Sequence, residues 1–209
     1  MRIDFVSDVS CPWCAVGLHS LERALEALGD TLAVELHFLP FELNPGLGPE
    51  GRDIVEYLGQ KYGKTPQQIA QTQAMIRERG AAVAFAFGPR LRTWNTFDAH
   101  RLLHWAGLQG RQRELKHALL KAYHGEGRNP GAPQVLLDSA REAGLDTTAA
   151  QSVIDSTRYT DEVRAQQRQV RDLGIDSVPA VIVDGRHLIQ GGQPPEVFEQ
   201  ALRRFAVAA

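Results

Sequence analysis

The stretch RIDFVSDVSCPWCAVGLHSLERALEALG, residues 2–29, changes its hydrophobic period halfway along and holds the chain's two cysteines, Cys11 and Cys14, at the change. Over residues 2–7 the side chains alternate, with Ile3 and Phe5 on one side, which predicts a strand. From Ala15 onward Leu18, Leu21, Leu25 and Leu28 recur at three- and four-residue steps, the apolar face of a helix ending at Gly29. Pro12 suits the first helical turn, because it lacks an amide where the helix needs none and its fixed φ matches the entry. The order is strand, cysteine turn, helix. The first sulfur then lies at the exposed helix tip and the second one turn on, within reach of a bridge.

Outward from this unit, residues 33–39 (AVELHFL) alternate again through Val34, Leu36 and Phe38, completing a βαβ unit. Strand signals then nearly stop. Between Asn44 and about Gly174 the pattern is helical, with starts at Thr65-Pro66, Asn95-Thr96, Pro133, Thr147-Thr148 and Thr160-Asp161-Glu162. One exception, AAVAFAF (81–87), alternates through Val83, Phe85 and Phe87 and predicts a short edge strand or an extended lid, with Phe85 and Phe87 as core residues. Strands return at 180–183 and 187–190 around Asp184-Gly185, a hairpin signal, and a last helix starts at Pro194-Pro195. The chain ends thus supply βαβ and ββα. The fold class expected is α/β, a thioredoxin fold interrupted by a large helical insertion, with residues 1–44 plus 172–209 as the thioredoxin-like domain and 45–171 as the inserted subdomain.

The 209 residues are 43% apolar and 23% charged with a net charge of −2, ordinary for a globular protein and without the basic excess that nucleic acid or an acidic membrane would call for. MRIDFVSDVSCPWC lacks the apolar run of a secretory signal, and no run of about 18 apolar residues occurs. Cytoplasmic location is therefore expected, with neither nucleic-acid nor membrane partners. In that reducing compartment a lone cysteine pair reads as chemistry rather than as a structural staple. Zinc is disfavoured because a second CxxC or CxxH pair is missing.

A free cysteine with pKa about 8.5 is only about 3% thiolate at pH 7. Lowering it to about 6 requires roughly 3.4 kcal/mol of preference for the anion. A helix dipole contributes about 0.3–1 kcal/mol and at most about 2, so hydrogen bonds from backbone amides and from the Cys14 thiol must supply the rest. Cys11 is assigned as nucleophile and Cys14 as the buried resolving thiol. Trp13 does not ionise, so a milder oxidant is expected than from an enzyme with protonated histidine there.

With Cys11-Pro12-Trp13-Cys14, Val178-Pro179 and the helical insertion in place, the chain resembles the DsbA family of thioredoxin-fold oxidoreductases, and more narrowly its cytoplasmic FrnE-like branch. FELNP (41–45), WNTFDAHRL (94–102) and GGQPPEVFEQAL (191–202) carry the resemblance over nearly the whole length. It implies a cis Val178-Pro179 bond facing the cysteines, with the Val178 backbone free to pair with an incoming substrate chain. It also places Asn95, Thr96, His100 and Gln193 around a substrate cleft. Ala180 and Val181 stand after the proline, where family members carry bulkier residues. His100 and His104 have the spacing of a metal pair, but Arg101 replaces the glutamate of an HExxH site. His19, His37, His117, His124 and His187 read as surface or packing residues.

The resulting expectation is a cytoplasmic dithiol–disulfide oxidoreductase. Cys11 thiolate attacks a disulfide of a protein or of a small thiol such as glutathione, and Cys14 resolves the mixed disulfide, with no cofactor and with oxidase, reductase or isomerase direction open. The alternative is a glutathione-dependent isomerase or transferase of the 2-hydroxychromene-2-carboxylate isomerase or kappa type; there a serine usually replaces the attacking cysteine and the second cysteine is absent, so two retained thiols argue against it. A thiol-linked chaperone or metal-binding module is a third reading, without a ligand set to support it.

Overall fold

The computed structural model describes residues 1–207, apart from the side chain of Asp30. Strand β1 (Arg2–Ser7) lies inside a four-stranded sheet, parallel to β2 (Glu35–Pro40) and antiparallel to β5 (Ala180–Val183), which pairs in turn with β6 (His187–Gln190); the order is β2-β1-β5-β6. Helix α1 (Pro12–Leu28) connects β1 to β2, completing the βαβ unit, and β5, β6 and α9 (Pro195–Val207) form the ββα unit. Asp184 and Gly185 both take positive φ, 50° and 66°, the conformation that makes an Asp-Gly pair a hairpin signal.

Alternation along the central strands distributes side chains to two layers. Ile3, Phe5, Val181 and Val183 face α1 and α9, where Leu18, Leu21, Phe198 and Leu202 are fully buried. Val6, Ala180 and Ile182 face the other way and meet Val170 and Ile175. Val170 belongs to α8 (Thr160–Asp172), which packs on β2. Helix α8 therefore covers the second face of the sheet, although the boundary expected at 171/172 assigned it to the insertion.

The intervening chain contains a two-residue ribbon of β3 (Arg52–Asp53) and β4 (Arg92–Thr93), then helices α2 (Ile54–Tyr62) and α3 (Pro66–Ala82), and a bundle of α4 (Phe97–Leu108), α5 (Gln112–Leu120), α6 (Pro133–Glu142) and α7 (Thr147–Ile154). The bundle closes on Leu102, Leu115, Leu119, Leu136 and Val153, and Val9 of the cysteine loop joins this core. Helix starts fall where turn chemistry indicated. Thr65 forms a capping box with Gln68 ahead of Pro66, α6 begins at Pro133, and Asp146 caps α7 through Ala149 N at 2.7 Å. The sequence reading missed the starts of α2 and α5, although Asp53 caps α2 by accepting from Val55 N (2.9 Å) and Glu56 N (3.0 Å). Among the described residues no helix is long and apolar enough to cross a membrane.

The AAVAFAF segment is not a strand. Ala81 and Ala82 finish α3, Ala84 takes φ 60°, and Phe85 N donates to Gly80 O (2.9 Å) while Ala84 N donates to Ala81 O (3.2 Å). This is a Schellman helix stop, with alanine in the left-handed position that glycine usually fills. The apparent period of two arises because the helix end and its trailing contact both bury apolar groups: Val83 and Phe85 pack beside α1, and Phe85 meets Phe87 edge-on at 4.7 Å between ring centres.

Candidate active site

Cys11 caps α1 in extended conformation (φ −88°, ψ 114°) with Pro12 in the first turn, and its carbonyl accepts from Cys14 N at 3.1 Å. Both thiols are free; Cys11 is 3% exposed and Cys14 fully buried. The Cys11 thiol donates to Val178 O at 3.6 Å, and the Val178-Pro179 peptide bond is cis. The proline loop sits this close because α1 carries Gly17 there. A Cβ on Gly17 would stand 3.0 Å from Pro179 Cγ and 3.3 Å from Gly192 Cα.

The two sulfurs have unlike electrostatics. The Cys14 thiol, donating to Cys11, together with the amides of Cys14 and Trp13, holds the Cys11 thiol below its ordinary value, although burial and the Asp8 charge oppose this. Burial, and then the neighbouring Cys11, push Cys14 well above the ordinary range. The outer sulfur therefore ionises more readily than the inner one, which is the asymmetry that nucleophile and resolver require.

Outside the sulfurs lies a cavity of about 450 Å³ bounded by Cys11, Pro12, Trp13, Leu43 and Val178 on the sheet side and by Ile54, Tyr57, Tyr62, Ile69 and Ile76 of α2 and α3 on the other. Arg90 reaches its wall and donates to Ser10 O at 3.4 Å. The apolar helix pair α2–α3 therefore roofs the Cys11 sulfur.

Behind the sulfurs sits Asp8, fully buried, which sequence reading did not single out. Its carboxylate accepts from Ser10 N (3.0 Å), Ser10 Oγ (2.8 Å), Leu43 N (2.6 Å) and Thr96 Oγ1 (2.8 Å), and His100 Nε2 lies 3.6 Å away. Burial alone would raise this carboxyl, but His100 and the amides of Ser10 and Leu43 hold it far below the usual carboxylate range. Asp8 thereby ties the cysteine loop to the segment after β2 and to the start of α4. Its one local signal is an Asp-x-Ser just before the cysteine, the side-chain-to-backbone turn that Asp favours.

Asn95, Thr96, His100 and Gln193 do not line the cavity at Cys11. Thr96 and His100, 3% and 2% exposed, face Asp8 because the first turn of α4 points inward beneath the cysteine loop. Asn95 donates to Pro45 O at 3.3 Å and borders a separate hollow with Trp94 and Asp98, while Gln193 folds back on Gln190 O at 2.8 Å within the β6–α9 turn. His104 Nδ1 lies 3.4 Å from Gln166 Oε1, and Arg101 donates to the carbonyls of Val153, Ser156 and Arg158 at the end of α7. Among the described residues no group of three or more His, Cys, Asp or Glu side chains is placed to hold a metal ion. His124, read as a surface or packing residue, is 1% exposed; its Nε2–H donates to Val9 O at 2.9 Å and burial keeps the ring neutral.

Comparison with known proteins places this geometry. The chain is 35% identical to a probable DsbA oxidoreductase from Streptomyces coelicolor, covering 98% of this chain and 89% of that one with a TM-score of 0.92. It is 28% identical over 206 residues to the uncharacterised protein YwbO of Bacillus subtilis (strain 168), covering 97% and 96% of the two chains. At 15% identity a 2-hydroxychromene-2-carboxylate isomerase shares the fold, with a TM-score of 0.75 over 99% and 96% of the chains. The architecture is the thioredoxin-like one with a helical insertion between its strands, and a CxxC pair stands at the start of α1. Residues 2–203 match the DSBA-like thioredoxin domain, and the chain belongs to that family.

Proposed function

We propose that the protein is a thiol–disulfide oxidoreductase of the FrnE-like type working in the cytoplasm, with Cys11 as nucleophile and Cys14 as resolver. The observation that carries this reading is the opposite displacement of two adjacent thiols at one helix tip: Cys11 is eased toward the thiolate while Cys14 is held as thiol. Cys11 thiolate attacks a substrate disulfide, a mixed disulfide forms, and Cys14 displaces the substrate's second sulfur to leave a Cys11–Cys14 bridge. Oxidation, reduction and isomerisation use the same two sulfurs, and the partner's potential sets the direction. The substrate is a disulfide or dithiol of a protein or a small thiol such as glutathione; no cofactor enters the chemistry, and no nucleic-acid or membrane partner is required. Val178 O, 3.6 Å from Cys11 Sγ, offers the backbone edge on which an extended substrate would align.

Insulin reduction by wild type, Cys11→Ser and Cys14→Ser proteins tests this. Cys11→Ser is expected to lose turnover at least a hundredfold, and Cys14→Ser to accumulate a mixed disulfide visible by intact mass. Turnover that survives loss of Cys11 refutes the mechanism. Glutathione conjugation without dithiol turnover would instead favour the isomerase or transferase alternative.

A further inference from the structure

Six titratable side chains lie buried together behind the reactive sulfur: Cys11, Cys14, Asp8, His100, His124 and Lys116, none more than 3% exposed. Five have an evident role or partner in the site just described. Lys116 does not. It projects from α5, 1% exposed, and among the described residues no carboxylate oxygen lies within 4 Å of it. A lysine is rarely taken out of water without a paired charge.

The groups facing Lys116 from the elements around it decide what it serves. Asp8, on the β1–α1 loop, is already answered by four donated hydrogen bonds and by His100 of α4. His124, following α5, is neutral and spends its Nε2–H on Val9 O. His100, His104, Gln112 and Gln166 share a small hollow with Lys116 and bring no negative charge. Cys11 has the amides of Cys14 and Trp13. Cys14, by contrast, is fully buried with the Asp8 amide as its one backbone donor, and the charge of Lys116 favours its ionised form more than that amide does. Desolvation weakens the hold of Lys116 on its proton, and Cys14, Asp8 and Cys11, in that order, strengthen it.

We propose that Lys116 is the positioning residue of the resolving half-reaction, its buried ammonium stabilising the Cys14 thiolate that attacks the mixed disulfide. The proposal rests on the dithiol mechanism above. In the step concerned, Cys14–S⁻ forms a bond to Cys11 Sγ as the Cys11–S–S–R bond breaks; R–S⁻ leaves with the electron pair, and the proton lost from Cys14 passes to solvent. In the reverse direction the same ammonium makes Cys14 a better leaving group. The charge is delivered by the inserted helical block rather than by the thioredoxin-like strands, so the insertion takes part in the redox chemistry as well as roofing the site.

The test uses 5,5′-dithiobis(2-nitrobenzoate), which gives one coloured thiolate when Cys11 attacks and a second when Cys14 resolves, followed in stopped flow from pH 5 to 10 for wild type, Lys116→Met and Lys116→Arg. With Met, the second release is expected to slow at least tenfold at pH 7 and to recover at higher pH, so that its pH–rate profile moves upward, while the first release stays within about twofold. Arg, which keeps the charge, is expected to keep the wild-type second-phase profile. A second release unchanged in rate and pH profile with Met overturns the proposal, and so does an equal slowing of both releases. If the Met protein does not fold, Lys116→Gln gives the same reading, since it too removes the charge. Wild type that shows no first release would refute the dithiol reading itself, which separates the two failures.

Discussion

Replacing Asp8 by asparagine removes one charge and turns an acceptor oxygen into a donor where every hydrogen-bonding neighbour is already donating. Oδ2 accepts from Ser10 Oγ and Leu43 N, and Oδ1 accepts from Ser10 N and Thr96 Oγ1 with His100 close by. Whichever way the amide is turned, its NH₂ meets one backbone N–H, because each oxygen serves one amide and one hydroxyl. The hydroxyl rotates to accept; the amide does not. One charge-assisted bond, about 1.5–3 kcal/mol, is lost outright, and the others fall to neutral strength at about 0.5–1.5 kcal/mol each. Relief from burying a carboxylate offsets part of this, so Asp8→Asn is expected to destabilise by about 3 kcal/mol at pH 7. Urea unfolding of both proteins measures it, as a midpoint shift of about 1–1.5 M for a slope of about 2–3 kcal/mol/M.

The sign of the pH dependence follows from the direction of the Asp8 shift. A depressed carboxyl contributes stability above the unfolded-state value of about 3.9, and that contribution drains away as pH falls toward the folded value. The gap between wild type and Asp8→Asn should therefore be level from pH 7 to about 5 and narrow by about 1 kcal/mol by pH 3, where the unfolded carboxyl is mostly protonated and the folded one is not. A gap below 1 kcal/mol at pH 7, or one equally wide at pH 3, would refute the reasoning.

Two further outcomes follow from the site geometry. Iodoacetamide alkylation of Cys11 should show a midpoint below the ordinary thiol value of about 8.5, while Cys14 stays unmodified throughout the neutral range, because its burial raises rather than lowers it; peptide mass mapping across pH distinguishes the two, and equal labelling would contradict the assignment. Gly17→Ala gains about 1 kcal/mol of helix propensity but sets a methyl 3.0 Å from Pro179 Cγ. The expected result is a melting temperature within a few degrees of wild type with insulin turnover reduced about tenfold, since the proline loop is displaced from Cys11; unchanged turnover would show that its close approach does not matter.

Periodicity and turn chemistry are local, and they carried the parts of the fold that depend on local geometry. The change of period at the cysteines, the capping box at Thr65 and the Asp-Gly turn at 184–185 specify strand, helix or reversal from neighbours a few residues away. The same logic misled at residues 81–87, where a helix stop and a strand bury apolar residues at the same spacing. The cysteine pair was legible for a similar reason: two thiols three residues apart on a helix start are near each other in any fold that makes the helix.

The surroundings of that pair were not legible. Thr96 meets Asp8 across 88 positions and Leu43 meets it across 35, and nothing in a helical repeat says which face of α4 will turn inward beneath the cysteine loop. Lys116 lies on a helix whose sequence alone reads as amphipathic, and only the docking of α5 against α4 and β2 takes its side chain out of water. Residue types and spacing set which groups have the chemistry, because bonding geometry along the chain is short-ranged. Desolvation, which decides which of those groups are charged, depends on what the rest of the chain packs against them, and only the tertiary structure decided that.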